Sequence, residues 1–162
     1  MNIDKKEFDC IDACIWIGAY DTEEPKMEIC KEFIQKLGYK QRNNGLVTLP
    51  ILGEIKTYFI TKIPDNLDYI RTSIFSSIAN IMSKLKGEYK FRIMKLVNVS
   101  DSLYKEIKEV AYDIDDADAV HIAFSIHHKC QHFITIDEKL LNNSNLVSYL
   151  RKKYELIIKD PY

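Results

Sequence analysis

Four acidic residues stand where apolar residues would be expected: Asp12, Glu54, Asp118 and Asp137. Asp12 interrupts the apolar stretch 8–20, and Asp137 directly follows Phe133-Ile134-Thr135-Ile136. Asp118 opens a helical pattern over 119–128 that is apolar around most of its circumference. Glu54 flanks a helix face made by Ile51, Leu52, Ile55, Tyr58 and Phe59, roughly 110° from its centre at 100° per residue. Carboxylates gathered at a half-buried edge lose hydration and repel each other. A cation among them relieves both costs, and oxygen donors without a Cys or His partner suit Mg²⁺ or Mn²⁺. Such an ion can activate water and offset charge in a phosphoryl transition state. The chemistry indicated is hydrolysis of a phosphodiester.

The elements that would hold these acids alternate. The pattern predicts a buried strand from Phe8 to about Asp12 or Ala13. A helix follows, with Asp21 or Thr22 as cap, Pro25 in its first turn, apolar residues at Met27, Cys30, Phe33, Ile34 and Leu37, and a stop at Gly38. Asn43-Asn44-Gly45 reads as a turn before a strand over 46–49. Pro50 opens the helix that carries Glu54, and Pro64-Asp65-Asn66 breaks it. A longer helix over 67–85 ends at Gly87, and 90–99 is extended or a long connection. Ser100 or Asp101 caps a helix through Ala111. Strands over 133–136 and 156–158 enclose a helix over 145–154. Short apolar strands between helices predict an α/β fold with a mostly parallel sheet covered on both faces. In such sheets strand C-termini and the next helix N-termini share one edge, where ligands bind. Asp12, Asp118 and Asp137 all map to that edge.

Each acid also has a plainer reading. Asp115 can cap the helix, with Asp118 complementing its dipole. Asp137 can start a turn into 138–141, and Glu54 can be a solvated helix acid. Asp113, Asp115 and Asp116 read as caps and surface charge, with Asp115 or Asp116 within reach of the edge. Asp12 has few solvated options inside its apolar stretch.

Three segments resemble the PIN domain family. Asp12-Ala13-Cys14-Ile15-Trp16-Ile17 is similar to the family's opening strand and turn. Asp118-Ala119-Val120-His121-Ile122-Ala123 closely resembles its third acidic motif. Phe133-Ile134-Thr135-Ile136-Asp137 is similar to the strand ending in Thr-x-Asp, and Glu54 falls where the second acid lies. The motifs arrive in order over nearly the whole chain. The resemblance implies a single-domain three-layer sandwich over 1–162 and a Mg²⁺/Mn²⁺-dependent nuclease, most often an endoribonuclease. Asp12, Glu54, Asp118 and Asp137 would then hold one or two ions. It also implies the toxin of a toxin–antitoxin pair, with an antitoxin protein as partner, and a homodimer. Two departures stand out. Cys14 occupies a place where the family often has Asn or Ser, so a hydrogen bond near Asp12 is expected to be missing. The middle, about 63–99, is longer than in the most compact toxins.

Composition narrows the alternatives. The chain has 162 residues, 46% hydrophobic and 29% charged, which fits one folded domain rather than a disordered chain. Lys and Arg total 23 against 24 Asp and Glu, excluding a strongly basic nucleic-acid coat protein. No apolar run approaches a membrane span, and the first residues lack a secretory apolar core. Four cysteines in this length do not make a disulfide scaffold. The expectation is a reduced, cytoplasmic protein without membrane partners. Phosphate-cradling glycine motifs and a nucleophile elbow are absent. His121, His127, His128, His132 and Cys130 match no zinc spacing. His121, Ser125 and His128 share a helix stripe and read as the polar face of a mostly buried helix.

Lys84, Lys86, Lys90, Arg92 and Lys95 interleave with Tyr89 and Phe91, as an RNA-gripping segment or as a charged edge strand would. Lys90, Arg92 and Thr135 are the candidate substrate contacts, and Thr135 is also placed to orient Asp137. The function expected is metal-dependent hydrolysis of RNA. The alternatives are a catalytically silent PIN-like module binding RNA or protein, and a DNA nuclease.

Overall fold

The computed structural model describes residues 8–37, 44–88, 92–94 and 101–162, without the side chains of 44, 84–88 and 92–94. Among these, strands β1 (Phe8–Ile11), β2 (Asn44–Thr48), β3 (Arg92–Met94), β4 (His132–Ile134) and β5 (Ile157–Lys159) form one sheet in the order β3-β2-β1-β4-β5. Every pairing is parallel. The helices are α1 (Ala13–Gly18), α2 (Met27–Lys36), α3 (Leu49–Lys62), α4 (Asp68–Glu88), α5 (Asp101–Val110), α6 (Asp116–His127), α7 (Glu138–Leu141) and α8 (Ser144–Tyr154).

Parallel neighbours need crossovers, and crossovers in such sheets are right-handed. The chain moves from β1 to β2 to β3, then jumps past β1 to β4 and β5. The reversal sends the first crossovers to one face and the later ones to the other. Helix contacts follow this division: α1 meets α2 and α3, α3 meets α4, while α5 meets α6 and α8, and α7 meets α8. The contact of α3 with α6 joins the two groups. The result is the three-layer α/β sandwich expected from the alternation of elements. Its core is centred on Ile11, Trp16, Leu46, Ile122, Phe133 and Leu150, each 0–1% exposed. The topological switch lies between β1 and β4, and the crevice beyond their C-terminal ends is the usual ligand position.

Several local expectations are corrected. The residues after Asp12 coil into α1, because the Asp12 carboxylate accepts a hydrogen bond from Ala13 N at 2.7 Å. Gly18 ends α1, and a Cβ there would meet Cys30 Sγ at 3.0 Å, so glycine permits the close approach to α2. Helix α2 starts at Met27, and neither Asp21 nor Thr22 is its cap. Asp21 instead accepts hydrogen bonds from Glu23 N and from the Tyr58 hydroxyl on α3. Asn44 and Gly45 belong to β2 rather than to a turn, and α4 continues through Gly87. Gly38, Asn43, Ser100 and most of 90–99 lie outside the described residues.

Candidate active site

Asp12 leaves β1 at the switch point and is 3% exposed. Its backbone N donates to Ile134 O at 3.0 Å, tying the end of β1 to β4. Its Oδ2 accepts from Thr135 Oγ1 at 2.8 Å and from Cys14 Sγ at 3.0 Å. Burial alone would raise its pKa. The neighbouring His121 and the donors Cys14 and Thr135 outweigh burial and hold it below the usual value, so Asp12 remains an anion.

The hydrogen bond expected to be missing at Cys14 is therefore made by the thiol. Burial and the Asp12 charge raise the Cys14 pKa well above normal, which keeps the proton that donates. Thr135 is fully buried. Its hydroxyl donates to Asp12 and accepts from Asp137 N at 3.0 Å, so it positions both acids and presents no surface to a substrate. That corrects its assignment as a substrate contact.

The other three acids arrive from separate elements. Glu54 comes from α3, Asp118 from the first turn of α6, and Asp137 from the end of the β4 segment, where its Oδ1 accepts from Lys139 N at 2.7 Å and starts α7. The turn reading of Asp137 holds, and the cap leaves its charge close enough to act on Asp118 and Glu54. Burial, followed by the charges of Asp12 and Asp137, pushes Asp118 up to about 7. The helix N-terminus favours the charged form, so burial and the neighbouring acids outweigh it. Asp115 occupies the N-cap position of α6, yet its side chain makes no cap bond. Burial also raises Glu54, with Asp12, Asp115 and Asp137 adding to the rise and His121 opposing it.

His121 is the residue that sequence reasoning missed. One turn beyond Asp118, it is 2% exposed and lies between two of the acids. Its Nδ1 is 3.4 Å from Asp12 Oδ1, and its Nε2 is 3.4 Å from Glu54 Oε2. Neither approach has hydrogen-bond alignment: His121 Nδ1 and Glu54 Oε2 are buried without a hydrogen-bond partner. Burial lowers the His121 pKa, but Asp12, Glu54 and Asp118 overcome that and raise it. The available signal was a histidine three residues after an acid in a helix otherwise built from apolar and small residues.

No family model matches this sequence, and no curated protein matches it. Solved structures do. The sarcin–ricin-loop-cleaving toxin VapC20 of Mycobacterium tuberculosis superposes with a TM-score of 0.55 at 13% identity, over 84% of this chain and 95% of that one. VapBC2 of Rickettsia felis, bound to a DNA fragment from its promoter, gives 0.59 at 15% identity, over 94% and 98%. The fold is PIN-like.

In this PIN-like fold the sheet edge unites all four expected acids and adds His121. Lys90 lies outside the described residues, and Arg92 is placed in β3 without a described side chain. Among the described residues, no three His, Cys, Asp or Glu side chains converge on one point as metal ligands do. The donor set nevertheless fits a hard divalent cation. It is rich in carboxylate oxygen, burial and then the neighbouring acids raise Asp118 and Glu54, and Glu54 Oε2 is a buried acceptor without a donor.

Proposed function

We propose that the chain is a Mg²⁺- or Mn²⁺-dependent endoribonuclease, the toxin of a toxin–antitoxin pair acting in the cytoplasm. The observation that carries this reading is the gathering of carboxylates from four elements around His121 at the switch point of a parallel sheet. Likeness of fold to toxins supports it, one of them named for cleaving the sarcin–ricin loop and the other in a VapBC assembly. Among the described residues no helix is long and apolar enough to cross a membrane.

Asp12, Glu54, Asp118 and Asp137 would hold the cation, directly or through water. When bound, it supplies charge stabilisation for phosphoryl oxygens and lowers the pKa of water. Thr135 and Cys14 fix Oδ2 of Asp12, so that this acid enters the site in one rotamer. His121 offsets charge between Asp12 and Glu54, which lets a buried and a half-buried carboxylate coexist. The partners of this reading are an RNA substrate, an antitoxin protein and a second copy of the chain.

The test is cleavage of single-stranded RNA by purified protein in Mn²⁺, alongside EDTA and the Asp12→Asn variant. Cleavage abolished by both supports the proposal. A folded protein that binds RNA without cutting it would make the chain a binding module. Cleavage confined to DNA would replace the substrate.

A further inference from the structure

Next to Asp137 lies a concavity of about 360 Å³, within the range of small-ligand pockets. It is formed by the loop between α5 and α6 and by the loop between α7 and α8. Its lining includes Tyr112, Asp113, Lys139, Asn142, Asn143 and Asn145. Tyr112 is 85% exposed, a degree of exposure at which a large aromatic ring has no packing role. The side chains of Tyr112, Lys139, Asn142 and Asn145 make no hydrogen bond or ion pair with other described residues. Asn143 is committed: its Oδ1 caps α8 through Leu146 N at 3.0 Å, and its amide faces Asp113 Oδ1 at 3.4 Å. That bond links the two loops.

The pocket adjoins the acids through Lys139. Lys139 N holds Asp137 at 2.7 Å, while the Lys139 side chain lines the pocket. The loop bearing Tyr112 and Asp113 leads through Asp115 into α6 and Asp118. Resting on the nuclease reading, we infer that this pocket takes one unpaired nucleotide of the RNA next to the cleaved phosphodiester. The base stacks on Tyr112, its edge meets the amides of Asn142 and Asn145 and the carboxylate of Asp113, and Lys139 faces the phosphate. An exposed aromatic face, side-chain amides and a single cation are what recognition of a splayed base requires. A paired base would present neither its face nor its Watson–Crick edge. A helix-binding or membrane-binding surface would instead be apolar, and apart from Val110 and the Tyr112 ring this pocket is lined by polar residues.

The experiment uses the full chain in EDTA, where binding is read without cleavage. Fluorescence anisotropy of a short labelled single-stranded RNA of mixed sequence is compared with its duplex. Tyr112→Ala should weaken single-strand binding about tenfold, as loss of one base–aromatic stack does, while Tyr112→Phe retains affinity within about twofold. The duplex should bind more weakly than the single strand and respond little to either change. In Mn²⁺, Tyr112→Ala should raise KM more than it lowers kcat. Unchanged single-strand affinity in Tyr112→Ala, with wild-type cleavage intact, overturns the pocket and leaves the nuclease standing. A wild-type protein that neither binds nor cuts RNA overturns the nuclease reading, and the pocket with it.

Discussion

Two aspartate–histidine pairs flank β1, and they differ in kind. Asp9 sits in the strand opposite His132 of β4, in register, with Oδ1 and Nδ1 2.7 Å apart. Three residues later, Asp12 faces His121 at 3.4 Å without hydrogen-bond alignment. The first pair is joined across adjacent strands, where the sheet brings the two Cα positions together and the side chains need only meet. The second depends on the packing of α6 over the sheet edge. There, Asp12 already accepts from Ala13, Cys14 and Thr135, and His121 is divided between Asp12 and Glu54. A structural pair satisfies itself. At the switch point His121 Nδ1 and Glu54 Oε2 stay buried without a partner, which is costly unless a ligand completes them.

The sharpest way to break this contrast is to neutralise each aspartate. Asp12→Asn should lower RNA cleavage in Mn²⁺ by about 100-fold or more, because an anionic member of the site is lost. Asp9→Asn should stay within about twofold. Equal losses, with folding confirmed by circular dichroism, would erase the distinction.

Mn²⁺ at about 100 times its dissociation constant should stabilise the wild type by about 2.7 kcal/mol. For a chain of this length that is roughly 5–10 °C in Tm. Calorimetry should show the same rise in Asp9→Asn and much less in Asp12→Asn. A wild-type Tm indifferent to Mn²⁺ and Mg²⁺ would remove the cation from the site.

Asp118 tests the stored repulsion. Its folded pKa, about 7, exceeds its ordinary value of 3.8. The folded state therefore binds the extra proton between these values, and stability falls as pH rises through them. In EDTA, Asp118→Asn should be more stable than wild type at pH above about 7 by about 1–2 kcal/mol, after discounting for solvent screening. The advantage should vanish below about pH 4. Urea titrations at both ends check it, and a variant less stable at high pH would restore the helix-dipole role.

The histidines should differ more subtly. His132→Gln should cost about 1 kcal/mol whether or not Mn²⁺ is present. His121→Gln should cost a similar amount in EDTA, and Mn²⁺ should recover most of it. A histidine raised by its partners stabilises the fold below about pH 6.5 and ceases to do so as pH passes its folded pKa. The His121→Gln loss should therefore be larger near pH 6 than near pH 9 in chemical denaturation. A cost independent of both pH and Mn²⁺ would make His121 an ordinary core residue.

What the sequence determined by itself was whatever local pattern encodes. Short apolar runs between helical periodicities dictated a parallel sheet covered on both faces, since strands buried on two sides have no polar alternation. Asp12, Asp118 and Asp137 were legible because each breaks an apolar pattern, and Glu54 because it stands alone in a long acid-free stretch. Contacts between elements were not legible. Asp21 looked like a cap for α2, but Tyr58 from α3 claims it. Cys14 looked like a lost donor, but the turn into α1 brings its thiol to Asp12 Oδ2. His121 looked like one polar residue on a buried helix. Only the order β3-β2-β1-β4-β5, with its reversal beside β1, brings α6 against α3 and sets that imidazole between two acids. Periodicity records which face of an element is buried. What the buried face meets is decided by strand order and crossover handedness, which act over distances that no local window of sequence spans.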